Sequence, residues 1–286
     1  MIRKLALILS IALSLSAYGQ YAAANPEWIE PTEPFRIVGN LYYVGASGVS
    51  SFAIATPDGI ILLDTGCRET VPQIESNLKK LGLRLEDVRL LLMSHAHYDH
   101  IGGMADIKAR TKARLLASPA EKPLMERGGK GDFAYGDSVP FPPVSPDALL
   151  EDGKDVSFGG VTLTPHFTPG HTKGCTTWTT TIKDGGKSFN VVFACSLTAP
   201  GYKLVDNPQY PNIIADFEAT FAKLRSLPCD IFVEGHGWNF GLQEKAKAIA
   251  SGTAQNPFVD PNGYRAYIDK GQATIRKQVA EQKTQK

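Results

Sequence analysis

The chain has 286 residues, 30 basic and 29 acidic, with 43% hydrophobic residues, four cysteines and six histidines. That length and composition allow one large domain or two modest ones with a sizeable core. A formal charge of +1 gives no electrostatic case for nucleic acid or an anionic membrane surface.

The N-terminus reads as a targeting segment. Arg3 and Lys4 precede an apolar run from Leu5 to Leu15, and Ala17-Tyr18-Gly19 supplies small residues for cleavage, with Ala22-Ala23-Ala24 as a second possible cut. The run is too short for a comfortable membrane span, and no later segment approaches the length such a helix needs. Residues 1–19 are therefore expected to be a signal peptide and 20–286 an exported domain in the periplasm. Losing Arg3 and Lys4 leaves 28 basic against 29 acidic residues, a charge of −1. Cys67, Cys175, Cys195 and Cys229 then enter an oxidising compartment, where three pairings are possible and spacing does not choose among them.

Phe35–Val44 and Ser50–Ala55 alternate as strands, and Thr56-Pro57-Asp58-Gly59 turns the chain into a third, Ile60–Leu63, ending at Asp64-Thr65-Gly66. Val71–Leu81 has helical spacing, with Ile74, Leu78 and Leu81 on one face and Gly82 as a stop. Val88–Met93 is a central strand. The spacing gives a helix over Met104–Thr111, a strand over Arg114–Ala117 and a helix over Ala120–Arg127. Glycines and prolines forbid regular structure from Gly128 to Pro146, where Phe133, Tyr135 and Phe141 add apolar surface. A loop this long is either functional or a connector.

Strands are expected again at Val156–Phe158, Val161–Pro165, Thr176–Ile182, Asn190–Ala194 and Asp230–Glu234. Helices follow at Ile214–Leu227, Leu242–Ala250 and Tyr264–Val279. Strands first, then alternating strand and helix, occurs in both halves. The pattern implies an αββα sandwich, two sheets face to face with helices outside.

The chemistry is concentrated where the central strand ends. Residues 95–100 read His-Ala-His-Tyr-Asp-His, three of the six histidines beside a carboxylate. Imidazole and carboxylate are zinc ligands, and a site of His and Asp without thiolates usually keeps a position open for water. His171, in Pro169-Gly170-His171-Thr172, and His236, between Gly235 and Gly237, lie at other strand ends and can reach a shared cleft. His166, inside a strand, reads as a core histidine or one that supports a ligand. His95 and His97 leave the strand two residues apart and are expected to join His171 in a first metal site. Asp99 and His100, on the tight turn before Gly102-Gly103, address a second site with His236. Two ions about 3.5–4 Å apart are common in hydrolases that activate water without a serine or cysteine.

These motifs resemble the metallo-β-lactamase superfamily: H-x-H-x-D-H, the Asp64-Thr65-Gly66 strand end, Pro169-Gly170-His171-Thr172 and the late His236. The resemblance runs from about residue 35 to beyond residue 240. It implies the αββα fold and a site for two zinc ions held by His95, His97, Asp99, His100, His171 and His236. It does not fix the substrate, because the superfamily hydrolyses lactams, thioesters, lactones, phosphodiesters and sulfate esters.

The strand end Ala194-Cys195-Ser196-Leu197-Thr198 narrows the choice. Thioesterases of the glyoxalase type and the lactonases of the superfamily place a bridging Asp there, and this chain has none between Asp184 and Asp206. The sequence resembles the class B β-lactamases, subclass B3, at Gly174-Cys175-Thr176-Thr177-Trp178, Cys195–Tyr202 and Asn256–Pro261. That resemblance implies a Cys175–Cys195 disulfide and hydrolysis of penicillins, cephalosporins and carbapenems by a zinc-bridging hydroxide oriented by Asp99, a source of antibiotic resistance. It also implies that Ser196 and Thr198 hold the carboxylate of a small-molecule β-lactam, and Phe133, Tyr135 and Phe141 are expected to line the apolar side of the cleft. Cys67 and Cys229 can pair or stay free. A monomer is expected, with no nucleic-acid or membrane partner. The alternative is an exported dizinc hydrolase of another ester or lactone. Gly235 and Gly237 replace the Pro often found beside the last histidine, and are expected to loosen it.

Overall fold

The computed structural model describes residues 22–285. The expected signal peptide lies outside them. Seven strands form the first sheet in sequence order: β1 Phe35–Val38, β2 Leu41–Tyr43, β3 Phe52–Thr56, β4 Gly59–Leu63, β5 Val88–Leu92, β6 Arg114–Ala117 and β7 Ala148–Leu149. β1 to β4 pair antiparallel, and β4 to β7 pair parallel. The second sheet contains β8 Val156–Phe158, β9 Val161–Phe167, β10 Thr176–Asp184, β11 Lys187–Ala194 and β12 Ile231–Glu234, in the order 12-11-10-9-8. Only its β11–β12 pair is parallel.

Phe35–Val44, read as one strand, is a hairpin. Gly39 adopts φ +51°, and Arg36 and Val38 register against Tyr42 and Leu41. β7, absent from the expected strands, has two residues and is too short to show a period.

Two hydrophobic clusters fix the layers. Burial on both faces explains why β5 is continuously apolar from Leu90 to Leu92: Leu90 and Leu92 join the core shared with Phe52, Trp178 and Phe193, whereas Leu91 faces the outer helices. Phe52 and Phe193 meet edge to face at 5.4 Å and join the two sheets. Trp178 reinforces this by donating its indole N–H to the Met93 carbonyl at 2.9 Å. Leu91 packs with Ile74 and Leu78 of α1 (Val71–Lys80). The short α2 (Tyr98–Ile101) and α3 (Met104–Thr111) add Ile101, Met104 and Ile107 to that layer, and α4 (Lys122–Glu126) adds Met125. On the second sheet, α5 (Ile213–Ser226) packs with Phe217 and Phe221. After α6 (Leu242–Ala250), α7 (Pro261–Thr284) packs with Ile268 and Ile275. The result is the expected αββα sandwich. Among the described residues no helix is long and apolar enough to cross a membrane.

Candidate metal centre

Parallel pairing brings the C-terminal ends of β4, β5, β11 and β12 to one rim, where loops of different sequence origin can meet. Five of the six histidines converge there. The ligand atoms of His95, His97 and His171 lie within 4.8 Å of one another, as do those of Asp99, His100 and His236. The two groups adjoin, with the His95 and His100 rings 4.1 Å apart. This is the partition expected from the sequence. One detail differs: Asp99 and His100 occupy the helical turn α2, not an irregular tight turn. His166 joins neither group, nor the core; its Nε2 lies 2.8 Å from Thr179 Oγ1 in a groove on the second sheet.

Hydrogen bonds behind the rings indicate which nitrogen each presents. His171 Nδ1–H donates to the Thr198 carbonyl at 2.7 Å, leaving Nε2 to face His97 Nδ1 at 3.1 Å. The other nitrogen of His97 lies 3.7 Å from Asp132 Oδ2. His95 Nδ1 meets Ser94 Oγ at 3.0 Å, and Ser94 Oγ–H donates to Asp64 Oδ2 at 2.7 Å. His100 Nδ1 meets the same Asp64 oxygen at 3.3 Å. Asp64 has φ 56°, an uncommon conformation for a non-glycine residue, and its Oδ1 also accepts the Ser94 N–H at 2.7 Å. One carboxylate thus serves both groups.

The donors fit a divalent cation. His95 Nε2 is buried and lacks any hydrogen-bond partner among the described residues, and His100 Nε2 meets only the Asp99 carboxylate at 3.3 Å, an expensive arrangement unless a cation takes these positions. Their supporting hydrogen bonds are those expected behind metal-binding imidazoles. Burial, then repulsion from neighbouring histidines, holds His95 well below the ordinary imidazole range; burial does the same for His171, so both are neutral donors. Burial alone would raise the Asp99 carboxyl, but His100 and His236 outweigh it and hold it well below the usual range. Asp99 Oδ2 sits 3.3 Å from Nε2 of each.

The rest of the cleft follows. Cys175 and Cys195 form a disulfide, so the sulfur 3.7 Å from His95 Nδ1 is not a free thiolate. Cys67 and Cys229 remain thiols. Ser196 and Thr198 bring their hydroxyl oxygens within 3.0 Å of each other, Ser196 buried and Thr198 exposed. Tyr135 lies 5.3 Å from the His97 ring, and Phe133 packs on Tyr202, whose ring stacks on His171. Phe141 does not line the cleft: it is buried in the outer core and packs against Gly129. The glycines beside His236 have a packing role rather than a loosening one. A Cβ on Gly235 would meet His100 Cε1 at 2.3 Å, and one on Gly237 would meet Leu242 and the Ser47 carbonyl below 3 Å.

Glu121 escaped the sequence reading because it lies at the start of an ordinary-looking helix. It is buried, and one carboxylate accepts the Ala96 N–H at 3.2 Å, the Gly174 N–H at 3.0 Å and the Thr172 hydroxyl. It therefore ties the His95–His97 segment to the His171 turn. No short-range signal marks a partner this distant in sequence.

Two facing sheets with an imidazole and carboxylate donor set at their strand ends define a metal-binding αββα protein. The profile of the metallo-beta-lactamase superfamily matches residues 44–185. A metallo-beta-lactamase of Legionella gormanii is 43% identical, with TM-score 0.87 over 89% of this chain and 98% of its own. A subclass B3 metallo-beta-lactamase of Bradyrhizobium japonicum is 38% identical, with TM-score 0.86 over 91% and 98%. A Cronobacter sakazakii metallo-beta-lactamase with a HARLDQ motif is 42% identical, with TM-score 0.86 over 90% and 97%. Among curated sequences, a hydroxyacylglutathione hydrolase of Methylobacterium nodulans is 37% identical over 94 residues, 33% of this chain and 29% of that protein. The chain thus spans under a third of that relative's length. It belongs to the metallo-β-lactamase superfamily, and its likeness to the solved metallo-β-lactamases makes it a hydrolase of that type. The fold implies a divalent metal such as zinc.

Proposed function

We propose that the protein is an exported periplasmic β-lactamase that uses two zinc ions, one held by His95, His97 and His171 and the other by Asp99, His100 and His236. The observation that carries the reading is the pair of adjoining donor groups beside a Ser196–Thr198 strand end whose sequence carries no Asp between Asp184 and Asp206. Bound zinc would supply Lewis-acid polarisation of the lactam carbonyl and a lowered pKa for water.

The chain's own groups do the rest. Asp99 is the sole carboxylate in either donor group and can orient the attacking water by accepting its hydrogen. The hydroxyls of Ser196 and Thr198 can donate to the substrate carboxylate. Phe133 and Tyr135 offer an apolar wall for the substrate body. Asp64, Ser94 and Glu121 hold the histidines so that little reorganisation accompanies reaction. Residues 20–286 would form a single catalytic domain, acting as a monomer and conferring antibiotic resistance.

The curated thioesterase relatives support a second reading, hydrolysis of an acyl-glutathione thioester or another ester or lactone on the same site. The missing bridging carboxylate weighs against it. Turnover of penicillin, cephalosporin and carbapenem, compared with an acyl-homoserine lactone and an acyl-glutathione thioester, separates the two. β-Lactam hydrolysis abolished by chelator is expected; thioester or lactone turnover with inert β-lactams would overturn the proposal.

A further inference from the structure

Three of the five clustered histidines have a hydrogen-bond partner behind the nitrogen that faces away from its cluster, Ser94 for His95, Asp64 for His100 and the Thr198 carbonyl for His171, and His97 Nε2 has the Asp132 carboxylate 3.7 Å away without a hydrogen bond. His236 differs. Its Nε2 faces Asp99, and its buried Nδ1 has no hydrogen-bond partner among the described residues. A metal-binding imidazole without that second bond is free to rotate about its side-chain torsions.

An aromatic contact stands in its place. The indole of Trp238 stacks on the His236 ring with centroids 4.4 Å apart and planes 18° from parallel, and Trp28 approaches at 6.0 Å. Trp238 is 56% exposed, so hydrophobic burial does not account for it. The backbone around it is fixed independently. The His236 N–H and the Asn239 side chain both donate to Glu234 Oε2, and the Gly237 N–H donates to the Gly48 carbonyl. What those bonds leave undetermined is the ring.

We propose that Trp238 is a positioning residue for the second metal, holding the His236 imidazole by stacking where the other histidines have a polar group behind the ring. The proposal rests on the dinuclear reading above. Because the backbone bonds do not involve the indole, Trp238→Ala should fold normally while freeing the ring, and Trp238→Phe should retain a stacking face.

The test is titration of metal-free wild type, W238A and W238F with cobalt against a chelating indicator, with the visible cobalt spectrum recorded at each equivalent. W238A should bind the first equivalent as wild type does and the second roughly 10–100-fold more weakly, the range for lost support behind a ligand. Its second-equivalent absorption band should change, and W238F should restore most of the affinity. Two wild-type equivalents with both affinities and spectra unchanged in W238A would overturn this proposal alone. A wild-type chain that takes a single equivalent would overturn the dinuclear reading and the proposal with it.

Discussion

Removing the Glu121 carboxylate should damage both stability and metal binding. Glu121→Ala deletes three hydrogen bonds and strands the Ala96 and Gly174 N–H groups away from solvent. A buried unsatisfied donor costs about 1–3 kcal/mol. Water entering the adjoining 420 Å³ cavity, which Glu121 lines, can recover part of that. A net loss of about 2–5 kcal/mol follows, or ~5–20 °C at roughly 2–4 °C per kcal/mol for a chain of this size. Glu121→Gln keeps one acceptor. With its oxygen towards Thr172 and Gly174, its NH₂ opposes the Ala96 N–H, so about 1–3 kcal/mol is lost. The first metal should weaken by ~10–100-fold in the alanine variant, because the His95–His97 segment and the His171 turn are no longer tied. Calorimetric melting of metal-free protein and zinc competition with a chelator read the two effects separately. A metal-free alanine variant melting within about 2 °C of wild type, with wild-type zinc affinity, would refute the reasoning.

Asp99→Ala should lower kcat by ~10²–10⁴, through loss of a second-site ligand and of the group that orients water; steady-state rates at saturating zinc check this. His171→Ala should lose the first metal, whereas His166→Ala should keep full metal content by elemental analysis. An empty site in His166→Ala with a full one in His171→Ala would reverse the ligand assignment. Replacing Cys175 and Cys195 by serine opens a loop spanning a sequence separation of 20 and should cost roughly 3 kcal/mol in denaturant unfolding. Non-reducing peptide mapping of wild type should yield one crosslinked peptide containing both cysteines.

Much of this site was legible because its ligands sit in short contiguous motifs at the ends of strands with strong local signals. The H-x-H-x-D-H run, the His171 turn and His236 each announce themselves within a few residues. What stayed hidden depends on contacts between distant segments. Glu121, Asp132 and Ser94 look like ordinary polar residues until folding places them behind histidines. Phe141 looked like a cleft residue from its glycine- and proline-rich surroundings, but the loop folds back and buries it against Gly129. The glycines around His236 suggested looseness, yet neighbouring side chains and backbone leave no room for a Cβ. Alternation over Phe35–Val44 could not reveal the reversal at Gly39, because both arms of the hairpin keep the same period.

The central claim is a two-metal β-lactam hydrolase, and zinc titrated into metal-free protein while carbapenem hydrolysis is followed tests it most directly. Activity should be absent in chelator and should rise to a plateau at two zinc ions per chain. Full activity at one tightly held ion, or no β-lactam hydrolysis at two, would contradict it.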